Sequence, residues 1–160
     1  KPVLHGLMRL LHSQGVADAL AQVFGLKSGL RGDPTFDGGG LVASPPLAKL
    51  DPHADFNWSE TARGYRVGKL LPYLSCSYQP HDGGRLQLFT NGESNPVKRI
   101  DPLWGRCVGF LTTDETVHGV EADSPTFERP SINSYFYSDT NPAETSAEPH
   151  RTPSRSNNGR

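Results

Sequence analysis

The sequence predicts an all-β core, a jelly roll of about eight strands, supported by helices at its N-terminal end. Three observations predict it. Helical spacing of apolar residues is confined to the stretch before Gly25. From Gly29 to Tyr137, short segments rich in β-branched and aromatic residues alternate with Gly, Pro, Asn and Asp, the texture of strands joined by tight turns. Seventeen glycines and fourteen prolines among 160 residues exceed what a helical bundle tolerates. A chain of this length buries one ordinary core, and two complete domains would be a squeeze. One domain over 1–140 and a polar tail over 141–160 are therefore expected.

Taken in order, Val3, Leu4, Leu7, Met8, Leu10 and Leu11 form a first helical stripe, and Val16, Leu20, Val23 and Phe24 a second. Gly15 separates the two or kinks one longer helix, and Gly25 is a natural C-terminal stop. These helices read as a brace against a sheet, with His5 and His12 as surface histidines. Candidate strands span 41–43, 49–57, 65–74, 85–89, 97–100, 106–112, 116–121 and 131–137. Asp82-Gly83-Gly84 and Asn91-Gly92 are turn signals, and Asp101-Pro102 ends its strand because proline cannot donate to the ladder.

Sixteen basic residues against seventeen acidic ones give a formal charge of -1, so no global field draws the chain to nucleic acid or to an acidic membrane. Arg151, Arg155 and Arg160 in the tail are too sparse for a nucleic-acid site. No apolar run approaches the roughly 18 residues of a membrane span, and the start lacks a signal core and a small-residue cleavage site. A soluble, cytoplasmic protein with no nucleic-acid or membrane partner is expected, while Lys1 in place of Met leaves processing or truncation open. Cys76 and Cys107 read as free, buried thiols of a reducing compartment, with one bridge as the alternative. Nothing indicates the oligomeric state.

Chemistry concentrates at His53-Ala54-Asp55. Residues i and i+2 of a strand share a face, so an imidazole and a carboxylate can hold one metal between them. His118, in the strand pattern Thr116-Val117-His118-Gly119-Val120, could be brought opposite by a barrel. Two imidazoles and one carboxylate on one face of an ion leave the other face open, which suits non-haem Fe(II), although zinc fits the same set. The triplet alone reads equally well as two surface residues.

The words around it carry more. Gly38-Gly39-Gly40 precedes Asp51-Pro52-His53-Ala54-Asp55-Phe56-Asn57-Trp58. Then come Gly83-Gly84-Arg85-Leu86-Gln87-Leu88, Lys98-Arg99-Ile100-Asp101-Pro102, Arg106-Cys107-Val108-Gly109-Phe110, His118-Gly119 and Arg129-Pro130-Ser131 leading to Tyr135-Phe136-Tyr137. Over roughly residues 20–140 this order resembles the Fe(II)/2-oxoglutarate-dependent oxygenase superfamily, particularly its prolyl-4-hydroxylase-like branch and bacterial members with a HADFN-type motif. The resemblance implies a double-stranded β-helix, Fe(II) held by His53, Asp55 and His118, and 2-oxoglutarate whose far carboxylate meets Arg129. Arginine's planar two-pronged donor suits a carboxylate. Ser131 shares the strand parity of Arg129 and could add a hydrogen bond, and Asn133, Tyr135 and Tyr137 continue that parity.

Tyr73 resembles the tyrosine that relatives place against the cosubstrate, with ordinary aromatic packing as the other reading. Here the match departs from the common Arg-x-Asn-x-x-x-Tyr-Leu-Asn pattern: glycine replaces asparagine, an extra residue intervenes and Pro72 precedes the tyrosine. An edge position or a bulge is expected there. Lys69 is a lesser candidate for a cosubstrate contact. The triple glycine reads as close backbone passage, since no phosphate-loop lysine follows. Phe56 and Phe110 read as core, Trp58 and Trp104 as scaffold or rim, Asn57 as a residue that could orient a ligand, and His81 as an exposed loop residue. Arg106 reads as near the pocket or as structurally paired.

The function implied is a hydroxylase of a protein, peptide or small-molecule substrate, with a prolyl residue suggested by the branch resembled. Specificity would lie in the loops 31–36, 58–64 and 121–128. A non-catalytic, cupin-like metal-binding module is the alternative. A zinc enzyme using water is a third, but it leaves Arg129 without a task.

Overall fold

Helix α1 (Pro2–Leu11) and helix α2 (Gln14–Val23) open the fold of a computed structural model that describes residues 2–26, 29–33, 35–90 and 93–141. The break between the helices falls at Ser13, whose hydroxyl accepts from the Val16 N–H and satisfies one of the donors left unpaired at a helix start. Gly15, expected to separate them, lies inside α2. The stop comes where expected: Gly25 is left-handed at φ 67°, and the N–H groups of Gly25 and Leu26 reach back to Gln22 and Ala21, closing the helix as only a left-handed residue allows. No described helix is long and apolar enough to cross a membrane.

Ten strands follow among the described residues. They are β1 (Arg31–Gly32), β2 (Gly40–Ser44), β3 (Leu50–His53), β4 (Trp58–Ser59), β5 (Gly64–Pro72), β6 (Leu86–Phe89), β7 (Lys98–Ile100), β8 (Cys107–Leu111), β9 (Val117–Val120) and β10 (Arg129–Ser138). All eight predicted strands are present, most of them shorter than predicted, and the two-residue β1 and β4 carry too little pattern to be read in advance. One sheet runs β1-β10-β5-β4, with β2 added to β10 and β8 to β5. The other runs β3-β9-β6-β7. All pairings are antiparallel, and the two sheets face each other as the predicted jelly roll.

Two apolar clusters hold the layers together. Outside, α2 lays Ala17, Leu20 and Ala21 on Val67, Leu70 and Phe136 of β5 and β10, so the helices are a brace. Glycine at position 68, a departure from the family pattern the sequence resembles, has a local reason: a Cβ there would stand 2.9 Å from the Phe24 ring. Between the sheets, Leu71, Tyr73, Leu86 and Val120 pack together. The bulge expected at Pro72 lies upstream, at Val67, where the β5–β10 register shifts between Phe136 and Tyr137. Pro72 instead ends β5. Tyr73 then makes one bridge to Ser131, its N–H going to Arg106 O, so proline's missing donor falls on the other side, where ladder pairing already fails.

Several expectations need correction. Cys76 and Cys107 are free but exposed, because one sits in a turn and the other on an outward position of β8. His12 is half-buried, edge-on to Phe36 at 4.7 Å and stacked on Phe136 at 6.0 Å, since the α1–α2 corner turns it onto the sheet. The tail beyond Asn141 and the Asn91-Gly92 turn lie outside the described residues.

Candidate metal centre and its cavity

The antiparallel register of β3 and β9 sets His53 directly opposite His118, with ring centroids 4.5 Å apart. Gly119 makes this approach possible, because a Cβ there would meet Leu50 O at 2.8 Å. Strand β3 was expected to run on to residue 57 but ends at His53, since the ladder is already irregular after Leu50 where Pro52 has no donor. Asp55 therefore reaches the site from the segment beyond the strand. Its Oδ1 lies 3.6 Å from His53 Nε2 and its Oδ2 3.7 Å from His118 Nε2, and one ligand atom from each of the three residues falls within 4.8 Å of the others.

Each imidazole is oriented by its other nitrogen. His53 Nδ1 donates to Asp51 O at 3.0 Å and His118 Nδ1 to Thr116 O at 3.2 Å. A carbonyl can only accept, so each Nδ1 carries a proton and both Nε2 atoms face Asp55. Burial pushes His118 down to about 4, with nearby Lys69 adding to the effect. His53 is drawn upward by its hydrogen bond to Asp55, against burial. Burial alone would raise the Asp55 carboxyl, but the His53 hydrogen bond and the charge of Lys69 together hold it well below the carboxylate range.

Lys69, weighed only as a cosubstrate contact in the sequence, stands inside this constellation. Its ammonium is 3.3 Å from Asp55 Oδ2 and 3.4 Å from His118 Nε2. The signal was a charged residue in the middle of an apolar strand, Val67-Gly68-Lys69-Leu70-Leu71, which is rare unless the charge is met.

Beside His118 a cavity of about 220 Å³ opens between the sheets. Lys69, His118, Arg129, Ser131 and Asn133 supply its polar wall and Leu71, Leu86 and Val120 its apolar one. The predicted parity of β10 holds: residues 129, 131 and 133 line the cavity, while Phe136 packs toward the helices. The Arg129 Nε donates to Asp123 Oδ1 at 3.3 Å and its Nη2 to Ser44 Oγ at 3.0 Å. Asp123 and Ser44 have no motif around them and were not read from the sequence. Gly83-Gly84 leaves room for this pair, since a Cβ on Gly84 would overlap Asp123 Oδ1 and stand 3.0 Å from the Arg129 stem. Tyr73 is fully buried behind Ser131. Its hydroxyl has no partner, and burial pushes it up to about 12 against the charges of Arg129 and Arg106.

Other candidates scatter. Phe56 leaves the core to cover the Arg66 guanidinium at 3.5 Å, with Tyr135 at 3.6 Å on that same cation. Phe110 is half-buried and edge-on to His118 at 5.0 Å. Trp58 leans on Tyr65, Trp104 is exposed, and His81 is exposed as expected. Arg106 donates to Asp101 O at 2.9 Å, and Gly39 brings the backbone close, since a Cβ there would meet Asn133 O at 2.7 Å.

A family model described as the 2OG-Fe(II) oxygenase superfamily matches residues 34–137, a span that contains every residue of this site. The chain belongs to that superfamily. Among solved structures, a prolyl-4-hydroxylase from Pseudomonas putida is 28% identical with a TM-score of 0.52, over 74% of this chain and 59% of that one. A 2OG-Fe(II) oxygenase family oxidoreductase from Burkholderia pseudomallei shares the fold at 13% identity and TM-score 0.57, over 83% of this chain and 57% of that one. A prolyl 4-hydroxylase from Phytophthora capsici does so at 22% and 0.54, over 82% and 42%. The chain thus spans between 42% and 59% of the length of these proteins. Comparison with curated proteins gives no match.

The donors present suit the 2OG-Fe(II) oxygenase cofactors. Two neutral imidazoles and a carboxylate are a ligand set for non-haem Fe(II) with positions left open. Two buried cations on the cavity wall, with an unpartnered Tyr73 hydroxyl buried behind Ser131, suit a small dicarboxylate.

Proposed function

We propose that the protein is an Fe(II)- and 2-oxoglutarate-dependent dioxygenase that hydroxylates a prolyl residue in a protein or peptide. The observation that carries this reading is the cluster of His53, Asp55 and His118 ligand atoms, joined through His118 to a cavity with Lys69 and Arg129 on its wall. The prolyl substrate is suggested by the 28% identity to a prolyl-4-hydroxylase.

When bound, iron with 2-oxoglutarate and O₂ supplies the oxidation: one oxygen atom leaves in succinate as carbon dioxide is released, and the other enters a substrate C–H bond. The chain's own residues do the rest by position and charge. His53, Asp55 and His118 hold the metal, their Nδ1–H bonds to Asp51 and Thr116 keeping both Nε2 lone pairs on target. Arg129 binds the far carboxylate of 2-oxoglutarate, and Ser131 and the neutral Tyr73 hydroxyl donate beside it. Leu71, Leu86 and Val120 line the methylene stretch and exclude water. No proton is removed by a side chain, so no general base is needed.

The test is succinate formation from 2-oxoglutarate by Fe(II)-loaded protein in air, with mass spectrometry of proline-containing peptides for a gain of one oxygen atom. Turnover that disappears in His53→Ala, Asp55→Ala and His118→Ala supports the proposal. Metal-loaded protein that neither binds 2-oxoglutarate nor forms succinate overturns it in favour of a non-catalytic metal-binding module.

A further inference from the structure

Lys69 is the charged residue of the site to which the reaction above gives no task. At 6% exposure its ammonium has lost its hydration and persists only because partners meet the charge. Those partners are Asp55 Oδ2 at 3.3 Å and His118 Nε2 at 3.4 Å, the same atoms a metal ion requires. Two cations cannot share these lone pairs, and a divalent ion on Asp55 and His118 would stand close enough to the ammonium to repel it strongly in so dry a pocket.

The ammonium then has one place to go. Its stem runs between the Phe110 and Tyr135 rings, with Nζ 5.8 and 5.2 Å from their centroids, so the movement left is toward the cavity that Lys69 already lines beside Arg129 and Ser131. No acidic side chain is among the residues that line that cavity, and Asp123 is already taken by Arg129 at 3.3 Å. A displaced ammonium in the cavity is unpaired until an anion arrives.

We infer that Lys69 makes metal binding and dicarboxylate binding interdependent: its ammonium guards the ligand atoms in the metal-free protein and moves to a carboxylate of the cavity's anionic ligand when the metal seats. The inference rests on reading His53, Asp55 and His118 as the metal ligands. Without the anion, the metal must displace a buried ion pair and strand a cation. With it, the cation is met again, and by linkage the metal strengthens anion binding by the same factor.

Mn(II) affinity, read from the electron paramagnetic resonance of the free ion, tests this in the wild-type protein and in Lys69→Met, each with and without saturating 2-oxoglutarate. Chelation by the oxo acid tightens Mn(II) in both proteins, so the comparison rests on how the gap between them changes. Without 2-oxoglutarate, Lys69→Met binds Mn(II) about tenfold tighter than wild type, and with it the gap shrinks to about twofold or less. Methionine keeps the volume of the stem, and Lys69→Gln repeats the comparison should the methionine variant fold poorly. Equal affinities without the oxo acid, or a gap that the oxo acid leaves unchanged, overturn the inference. His118→Ala separates the two readings. If it binds Mn(II) as tightly as wild type, the ligand assignment fails and the inference with it. If it loses Mn(II) while Lys69→Met gains nothing, only the role of Lys69 fails.

Discussion

Arg129 shows how much of a side chain's placement lies in its neighbours. Its strand parity brings it to the cavity, but its direction comes from Asp123, 2% exposed and 3.3 Å away. Burial raises the Asp123 carboxyl and Arg129 pulls it back, so each charge stabilises the other. Arg129→Gln should weaken 2-oxoglutarate binding about 10- to 100-fold, the loss of a charge-assisted hydrogen bond, while Mn(II) affinity without 2-oxoglutarate stays near wild type. Titration of the Mn(II) protein with 2-oxoglutarate measures both. Asp123→Asn should give the same direction with a smaller loss, and an unchanged affinity would mean that Asp123 is only a structural partner. Tyr73 gives a second prediction of mixed sign. Its hydroxyl is buried without a partner, so Tyr73→Phe should leave the metal-free protein as stable or more stable by about 1 kcal/mol. The same change should weaken 2-oxoglutarate binding, because the hydroxyl then has nothing to offer the carboxylate. A destabilised variant with unchanged affinity would assign Tyr73 to packing alone.

Whole elements differ in how openly the sequence declares them. Helix α2 shows its task in its apolar spacing, and Leu20, 9% exposed, packs on Leu70 and Phe136. Leu20→Ala should cost about 2–4 kcal/mol in urea unfolding with little change in Mn(II) affinity, because the brace touches the outer face of the sheet and not the cavity. Strands β5 and β10 were legible from their aliphatic and aromatic residues, Val67, Leu70 and Leu71 in one and Ile132, Tyr135, Phe136 and Tyr137 in the other. The cluster of His53, Asp55 and His118 was legible as residues but not as geometry. Asp55 was placed by extending β3, yet proline at 52 ends the regular ladder and the carboxylate arrives from a loop. Lys69 was under-read for a related reason: periodicity reports which face a side chain takes, whereas its partners Asp55 and His118 come from the segment after β3 and from β9, and such pairing is a long-range fact. Gly84 lies between these cases. Its doublet reads as a turn, but its φ of 67° and the overlap a Cβ would make with Asp123 tie that turn to Arg129. Gly84→Ala should therefore lower 2-oxoglutarate affinity as well as stability.

At the scale of the molecule, the buried tyrosines tie the two-sheet architecture to alkaline pH. Tyr73 sits between the sheets, Tyr78 in the segment after β5 donates to Asp101 at 3.0 Å and lies edge-on to Phe127, and Tyr137 near the end of β10 receives a hydrogen bond from Arg66 at 3.0 Å. Burial raises all three, Tyr73 and Tyr78 to about 12. A hydroxyl raised in this way keeps its proton in the folded protein after the unfolded chain has released it. The folded state therefore holds more protons between pH 10 and about 12, and its stability falls as pH rises through that window. Below pH 10 both states are protonated and these groups exert no pH dependence. For Tyr73 alone, the displacement from 10 to about 12 corresponds to roughly 3 kcal/mol. Ionising Tyr73 or Tyr137 requires opening the layer that buries it, so their tyrosinate absorbance and loss of near-ultraviolet circular dichroism should rise together in one transition. Tyr73→Phe should shift that transition to higher pH. Tyrosinate that is complete near pH 10 with the dichroism intact would show that these hydroxyls reach solvent without unfolding. Tyr73 would then be open to water, and its proposed place as a buried donor to the cosubstrate would be wrong.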